Sequence, residues 1–253
     1  MAETDASQAG SAVGDSLALA EGHASKPLEQ GLARLRLEML AMGGLVIDQV
    51  AGATESFIDG DPARAQVVLA REPQVNAYDV VIDEHSERLL AWHQPLAVDL
   101  RLVRAITRAA IDLERAGDEA RKIARTALRV QAPQARRSVA VVTQPVRQMA
   151  ETGLGMLRDA VVALDTMNAD LADQVRRRDE EMDAEFEAAV RRLTTLTLES
   201  NDAMPAVLDI VLALKALERI GDHAKNVAEQ VVFIVRGIDV RHRHVATAAD
   251  GAH

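Results

Sequence analysis

The 253-residue sequence has no cysteine, which excludes disulfides, thiolate metal ligands and a cysteine nucleophile. Aromatic side chains are nearly as scarce: Trp92, Tyr78, Phe57, Phe186 and Phe233 make up the whole set. They are too few and too scattered to build a base-stacking platform. Basic residues are outnumbered, 29 against 39 acidic ones, for a formal net charge of −10. That balance argues against a phosphate-backbone footprint, so no nucleic-acid partner is expected. Long apolar runs are also missing. The stretch from Ala206 to Ile220 is interrupted by Asp209, Lys215 and Glu218, and nothing approaches the roughly 18 apolar residues of a membrane span. Residues 1–25 carry Glu3, Asp5, Asp15 and Glu21 but no Lys or Arg, which does not suit a secretion signal. The expectation is a soluble cytoplasmic protein.

What is present is helical periodicity. Residues 1–26 read as a disordered tail rich in Ala, Gly, Ser and acidic residues. From Leu28 the apolar residues Leu28, Leu32, Leu35, Met39, Met42, Val46 and Val50 advance in steps of three and four, which lines one face of a helix. Alternating strand patterns and Asn-Gly or Asp-Gly hairpin turns are wanting. Gly60 closes the first helix, and Asp61-Pro62 reads as an N-cap followed by proline in the first turn. Pro73 is expected to break or kink the second helix near Arg71, with helix resuming from Gln74 to Trp92. Gln94-Pro95 marks a turn, and a third helix runs from Pro95 to Arg129. Gln131–Gln134 reads as a linker. A fourth helix is expected over Val139–Met167, with Pro145 tolerable only near its start. The fifth covers Asp170–Thr197, and Pro205 opens a sixth ending near Gly237. Residues 238–253 look like a second tail. The expected class is all-α, with six helices in two sets of three, over residues 27–131 and 138–237.

An internal repeat supports that division. Leu113-Glu-Arg-Ala-Gly-Asp-Glu-Ala-Arg-Lys-Ile-Ala124 matches Leu217-Glu-Arg-Ile-Gly-Asp-His-Ala-Lys-Asn-Val-Ala228 at a constant offset of 104, with seven of twelve positions identical. In each half a preceding helix carries two aspartates four apart, Asp79 with Asp83 and Asp179 with Asp183. Each set of three helices therefore reads as one bundle, duplicated in tandem.

Glu114 and Asp118 share a helix face, as do Glu218 and Asp222, and Asn226 extends the second row by one turn. One acidic pair means little, since chance gives roughly six at this spacing and a solvated face explains it. Four pairs at equivalent places in two repeats are a stronger signal. If the rows converge, they need protons or cations to offset repulsion. Oxygen ligands with an Asn carbonyl suit Mg, Ca, Mn or iron. Gly117 and Gly221 sit mid-helix at the repeated position, and tight helix packing accounts for them better than close approach of a ligand. Arg115 and Arg219 are expected to pair with a carboxylate one turn along rather than to hold an anion. His85, His93 and His223 read as surface residues. No Gly-rich phosphate cradle is present, so phosphate sensing is expected to lie elsewhere.

Two three-helix repeats, each bearing Leu-Glu-Arg-x-Gly-Asp, resemble the PhoU family of phosphate-transport accessory and regulatory proteins. The likeness runs from about Leu28 to Gly237, and is clearest in "LERIGDHAKNVAEQV" and in "QPLAVDLRLVRAI…DLERAGDEARKIA". The resemblance implies a cytoplasmic, non-catalytic regulator linking the ATPase subunit of a phosphate ABC importer to a sensor histidine kinase. It implies a homodimer that meets the membrane only through those partners. It also implies multinuclear metal clusters, iron or zinc among them with Mg or Mn as alternatives. Their ligands here would be Glu114, Asp118, Glu218, Asp222, Asp79, Asp83, Asp179 and Asp183, with Asn226 matching the family's Asn. Lys122 stands where the first motif would carry Asn, and Ala116 where it would carry Ile. An ammonium beside Asp118 would compete with a cation, making the first site the weaker of the two. A carboxylate-bridged di-iron enzyme would use Glu-x-x-His, and no histidine here has Glu three positions before it. A metal-free helical adaptor, whose acidic rows are solvated or meet a basic partner, predicts the same fold.

Overall fold

The structure is a computed structural model and describes residues 26–199 and 204–237. The two tails expected from the sequence lie outside these residues, apart from Lys26, which already belongs to the first helix. Six helices make up the described chain: α1 (Lys26–Asp59), α2 (Pro62–His93), α3 (Ala97–Arg129), α4 (Pro133–Thr166), α5 (Ala169–Glu199) and α6 (Met204–Arg236). No strand occurs among the described residues. Every apolar position of the periodic row from Leu28 to Val50 is buried in α1. Burying side chains of this size stabilises by about 1.5–3 kcal/mol each, which is what sets the helix orientation.

The turns follow local chemistry. Gly60 adopts φ +72°, a left-handed conformation that closes α1 and that suits glycine best. Asp61 then caps α2, its carboxylate accepting from the Arg64 N–H at 3.0 Å. Asn168 does the same for α5, accepting from the N–H groups of Asp170 and Leu171 at 3.1 and 3.0 Å.

Proline 73 does not end α2, and the helix runs unbroken from Pro62 to His93. Pro73 is on the exposed side, while Val68 and Val75 on either side of it are buried. Packing on both flanks holds the helix across the missing hydrogen bond. Pro145 likewise sits well inside α4 rather than near its start, because α4 begins at Pro133. Buried Val142 and Val146 flank it, and the carbonyl it leaves unpaired belongs to exposed Val141. The connection between the halves is correspondingly shorter than the sequence suggests. It comprises only Val130–Ala132.

Helices α1, α2 and α3 pack against one another, as do α4, α5 and α6, which gives two three-helix bundles. The bundles join through α3 against α6 and α1 against α4, and one continuous apolar core runs through both. The α3–α6 contact is antiparallel: Arg129 meets Asp209 at 2.7 Å, Glu119 meets Arg219 at 3.4 Å, and Asp112 meets Asn226 at 3.0 Å. On the α1–α4 side the backbone at Gly43 lies so close that a Cβ there would be 2.8 Å from Val161 Cγ2. Arg136 at the start of α4 donates to the Phe57 carbonyl at 2.7 Å and also to that of Ile58, satisfying carbonyls that the end of α1 leaves open.

Candidate functional site

The repeated carboxylates lie between neighbouring helices of each bundle, α2 with α3 and α5 with α6. Small residues bring the helices close at this level. A Cβ on Gly117 would stand 3.2 Å from Gln49 Oε1 of α1 and 3.5 Å from Val75 of α2, and one on Gly221 would stand 3.3 Å from Met182 of α5 and 3.7 Å from Met156 of α4. Both glycines are packing residues at the centre of their bundles. They allow the carboxylate-bearing faces to approach.

The rows converge. The Glu114 carboxyl is raised above its ordinary range by burial, then by the charges of Asp118 and of Asp79 on α2. Asp79 is raised by burial and by Asp83. In the second bundle, Asp222 is raised by burial, then by Glu218 and by Asp179 of α5. Asp183 is raised by burial, then by Asp179 and by Glu218 of α6. All eight carboxylates named from the sequence thus fall into two groups of four, one per bundle. Each group has members that repel across a helix pair.

The cations around them differ. In the first bundle Arg121 pairs with Asp118 at 2.8 Å and with Glu72 of α2. Lys122 turns away to Glu119, at 2.7 Å, so it does not compete for Asp118 as its spacing suggested. In the second bundle Lys215 pairs with Glu218 and Lys225 with Asp179. The second group, not the first, holds two ammonium groups. Even so, Glu218 is only 9% exposed and its Oε2 is buried with no hydrogen-bond partner, a cost that a cation would relieve.

A profile for the PhoU domain matches residues 39–127 and again 146–231, one copy in each bundle. The chain belongs to the PhoU family. A Pseudomonas putida protein named phosphate-specific transport system accessory protein PhoU homolog is 42% identical over 224 residues, covering 87% of this chain and 85% of the relative. The Escherichia coli K12 protein, named phosphate-specific transport system accessory protein PhoU, is 35% identical over 220 residues, covering 87% and 90%. The crystal structure of PhoU from Pseudomonas aeruginosa superposes with a TM-score of 0.77 at 41% identity, covering 83% of this chain and 99% of that one.

Several residues of this PhoU chain stand elsewhere than the sequence suggested. Asn226 does not extend the carboxylate row. Its side-chain amide donates to Asp112 across the bundle interface, at 3.0 Å. His223 is not a surface residue; its side chain is 14% exposed and its Nδ1 lies 3.1 Å from the same Asp112. His85 is likewise tucked in, 2.7 Å from Glu38 of α1, and His93 is half-buried. Arg219 pairs with Glu119 on the opposite bundle rather than with a carboxylate one turn along. Asp112 and Glu119 escaped notice because their partners are about a hundred residues distant. A helix-face reading of α3 alone shows them only as polar residues on a buried stripe.

The donor chemistry of the two groups suits a hard, oxygen-loving cation. Among the described residues, no three His, Asp or Glu side chains are arranged to enclose one ion as they stand. The fit is therefore one of donor type and unsatisfied charge. No described helix is long and apolar enough to cross a membrane.

Proposed function

We infer that this protein is a negative regulator of phosphate uptake and of phosphate-starvation signalling. It acts as a non-catalytic cytoplasmic adaptor, as a homodimer, between the ATPase subunit of a phosphate ABC importer and a sensor histidine kinase. The observation that carries this reading is the pair of four-carboxylate groups, each in one copy of the PhoU domain. Relatives that match this chain over most of their length are named as accessory proteins of phosphate transport, and the Streptococcus pneumoniae PhoU of known structure, 26% identical, is named a phosphate transport system regulatory protein.

Metal ions, iron or zinc with Mg or Mn as alternatives, would be held by Asp79, Asp83, Glu114 and Asp118 and by Asp179, Asp183, Glu218 and Asp222. The ions supply positive charge to acidic faces. The chain's own residues do the rest: Gly117 and Gly221 set the helix separation, Lys215 and Lys225 hold Glu218 and Asp179 in place, and the α3–α6 ion pairs lock the bundles together. A neutralised face can then approach a partner at lower electrostatic cost.

One observation favours a second reading. Lys215 and Lys225 already offset half of the second group, which suits an acidic patch that meets a basic partner without metal. A phosphate-responsive reporter in a strain lacking this chain tests the proposal. The reporter is expected to be constitutively active, to be restored by the parent, and not by a variant with both Glu218→Ala and Asp222→Ala. A reporter that stays repressed in the deletion strain contradicts the regulatory role. Full rescue by the double variant contradicts the metal's part in it.

A further inference from the structure

We propose that the cleft between α3 and α6 is a binding site for a small anion carrying two or three linked phosphate groups. Lys122, Arg125 and Arg129 of α3 line one side and Lys215 and Arg219 of α6 the other, with Glu119 at the floor. The cavity, about 390 Å³, falls in the range of small-ligand sites.

Charge is the first argument. Five basic side chains line the cleft in a chain whose net charge is −10, although the Lys215 ammonium turns to Glu218 and lies 5.3 Å over the Phe186 ring of α5. Among the described residues their carboxylate partners are Glu119, Asp209 and Glu218, so the cleft stays net positive. Arg125 is exposed and makes no ion pair or hydrogen bond among the described residues. Arg125 with Arg129, and Lys215 with Arg219, are like-charged pairs one helical turn apart, an arrangement that disfavours the helix on its own. A fold that gathers these cations against that tendency, with the Arg125 guanidinium left unpaired, gives them something to bind.

Geometry narrows the class. Glu119 is buried and holds both Lys122 and Arg219, and buried Thr126 accepts from Arg129 at 2.8 Å, so three of the five cations are oriented before any ligand arrives. Guanidinium groups present forked donors matched to phosphate oxygens. From Lys122 to Arg129 the row extends about 10 Å along α3, longer than one tetrahedral anion needs and suited to a linked series. Leu212 and Ala216 are the two purely apolar residues of the lining, and the alkyl stems of the basic side chains supply the rest of the apolar wall.

The test is calorimetric titration of the full chain with inorganic tripolyphosphate, beside pyrophosphate, ATP, orthophosphate and citrate. Tripolyphosphate is expected to bind at about one per chain and at least about tenfold more tightly than orthophosphate or citrate. Arg125→Ala is expected to weaken it by about tenfold with an unchanged melting temperature, and Lys122→Ala with Arg125→Ala to weaken it further. Arg191→Ala, an exposed arginine on α5, should leave the affinity as it was. ATP tighter than tripolyphosphate assigns the site to a nucleotide; equal affinities assign it to the phosphate chain alone, and both support the proposal. No tripolyphosphate binding at millimolar concentration, citrate binding equally well, or an affinity indifferent to Arg125 and Lys122 overturns it.

Discussion

Adjacent glycines in α1 should respond to the same substitution with opposite signs. At Gly44 an added Cβ meets nothing within 4 Å, and the position is exposed. Replacing glycine by alanine in an exposed helix interior gains about 1 kcal/mol. At Gly43 the same Cβ would lie 2.8 and 3.2 Å from the two methyl carbons of Val161 on α4. Val161 is 6% exposed and, being β-branched, is stiff about its first torsion. It cannot swing clear, so α1 and α4 must part slightly. Overpacking of this kind costs about 1–3 kcal/mol, from which the helix-propensity gain must be subtracted. The expected outcome is that Gly44→Ala stabilises by about 1 kcal/mol and Gly43→Ala destabilises by about 1 kcal/mol. For a chain of this length the two melting temperatures should then differ by roughly 4–8 °C. Urea unfolding checks it, since an unchanged slope with a shifted midpoint isolates stability. If Gly43→Ala were as stable as Gly44→Ala, the bundles would not meet through α1 and α4 as closely as described.

The carboxylate groups set a pH dependence. Asp79, Glu114, Asp183 and Asp222 are all raised above the ordinary values of 3.8 for Asp and 4.5 for Glu, with burial as the first cause in each. Just above those values the folded chain therefore binds more protons than the unfolded one, so these groups lower stability as pH rises through their shifted pKa values. Chelator-treated Asp222→Asn is expected to be at least as stable as the parent at pH 7, with that advantage shrinking toward pH 4. An advantage that grows on acidification would refute the sign. Arg136→Ala removes both donors to the α1 carbonyls and is expected to cost about 1–3 kcal/mol, read as a lower urea midpoint. Lys225→Ala strips Asp179, a buried carboxylate, of its cation. A loss of about 1–3 kcal/mol is expected, smaller in the presence of Mn²⁺ if that ion takes the ammonium's place.

Much of the architecture was legible in the residues themselves. The Leu28–Val50 row gave the buried face of α1, and the Leu-Glu-Arg-x-Gly-Asp repeat gave the duplication and the two helices that carry it. The prolines misled because local chemistry is only one contribution. Pro73 and Pro145 each remove one hydrogen bond, but the valines packed on either side of them belong to a core that periodicity alone does not locate. The convergence of the four carboxylates within each bundle was open until α2 met α3 and α5 met α6. The partners of Asp112 and Glu119 were beyond reach for a stronger reason. His223, Asn226 and Arg219 sit on the other bundle, and the antiparallel register of α3 against α6 leaves no periodic trace in the chain. A cue for the basic cleft was present: Lys122, Arg125 and Arg129 recur at helical spacing. Only the facing Lys215 and Arg219 turn that stripe into a cavity.

The central claim is that the two groups of four carboxylates hold cations. Its most direct test is elemental analysis of protein purified without chelator or histidine tag, beside two variants. One carries Glu218→Ala and Asp222→Ala, the other Glu114→Ala and Asp118→Ala. The account expects metal in the parent, a partial loss in each variant and none when all four substitutions are combined. A parent free of metal, or metal content indifferent to all four substitutions, would contradict it.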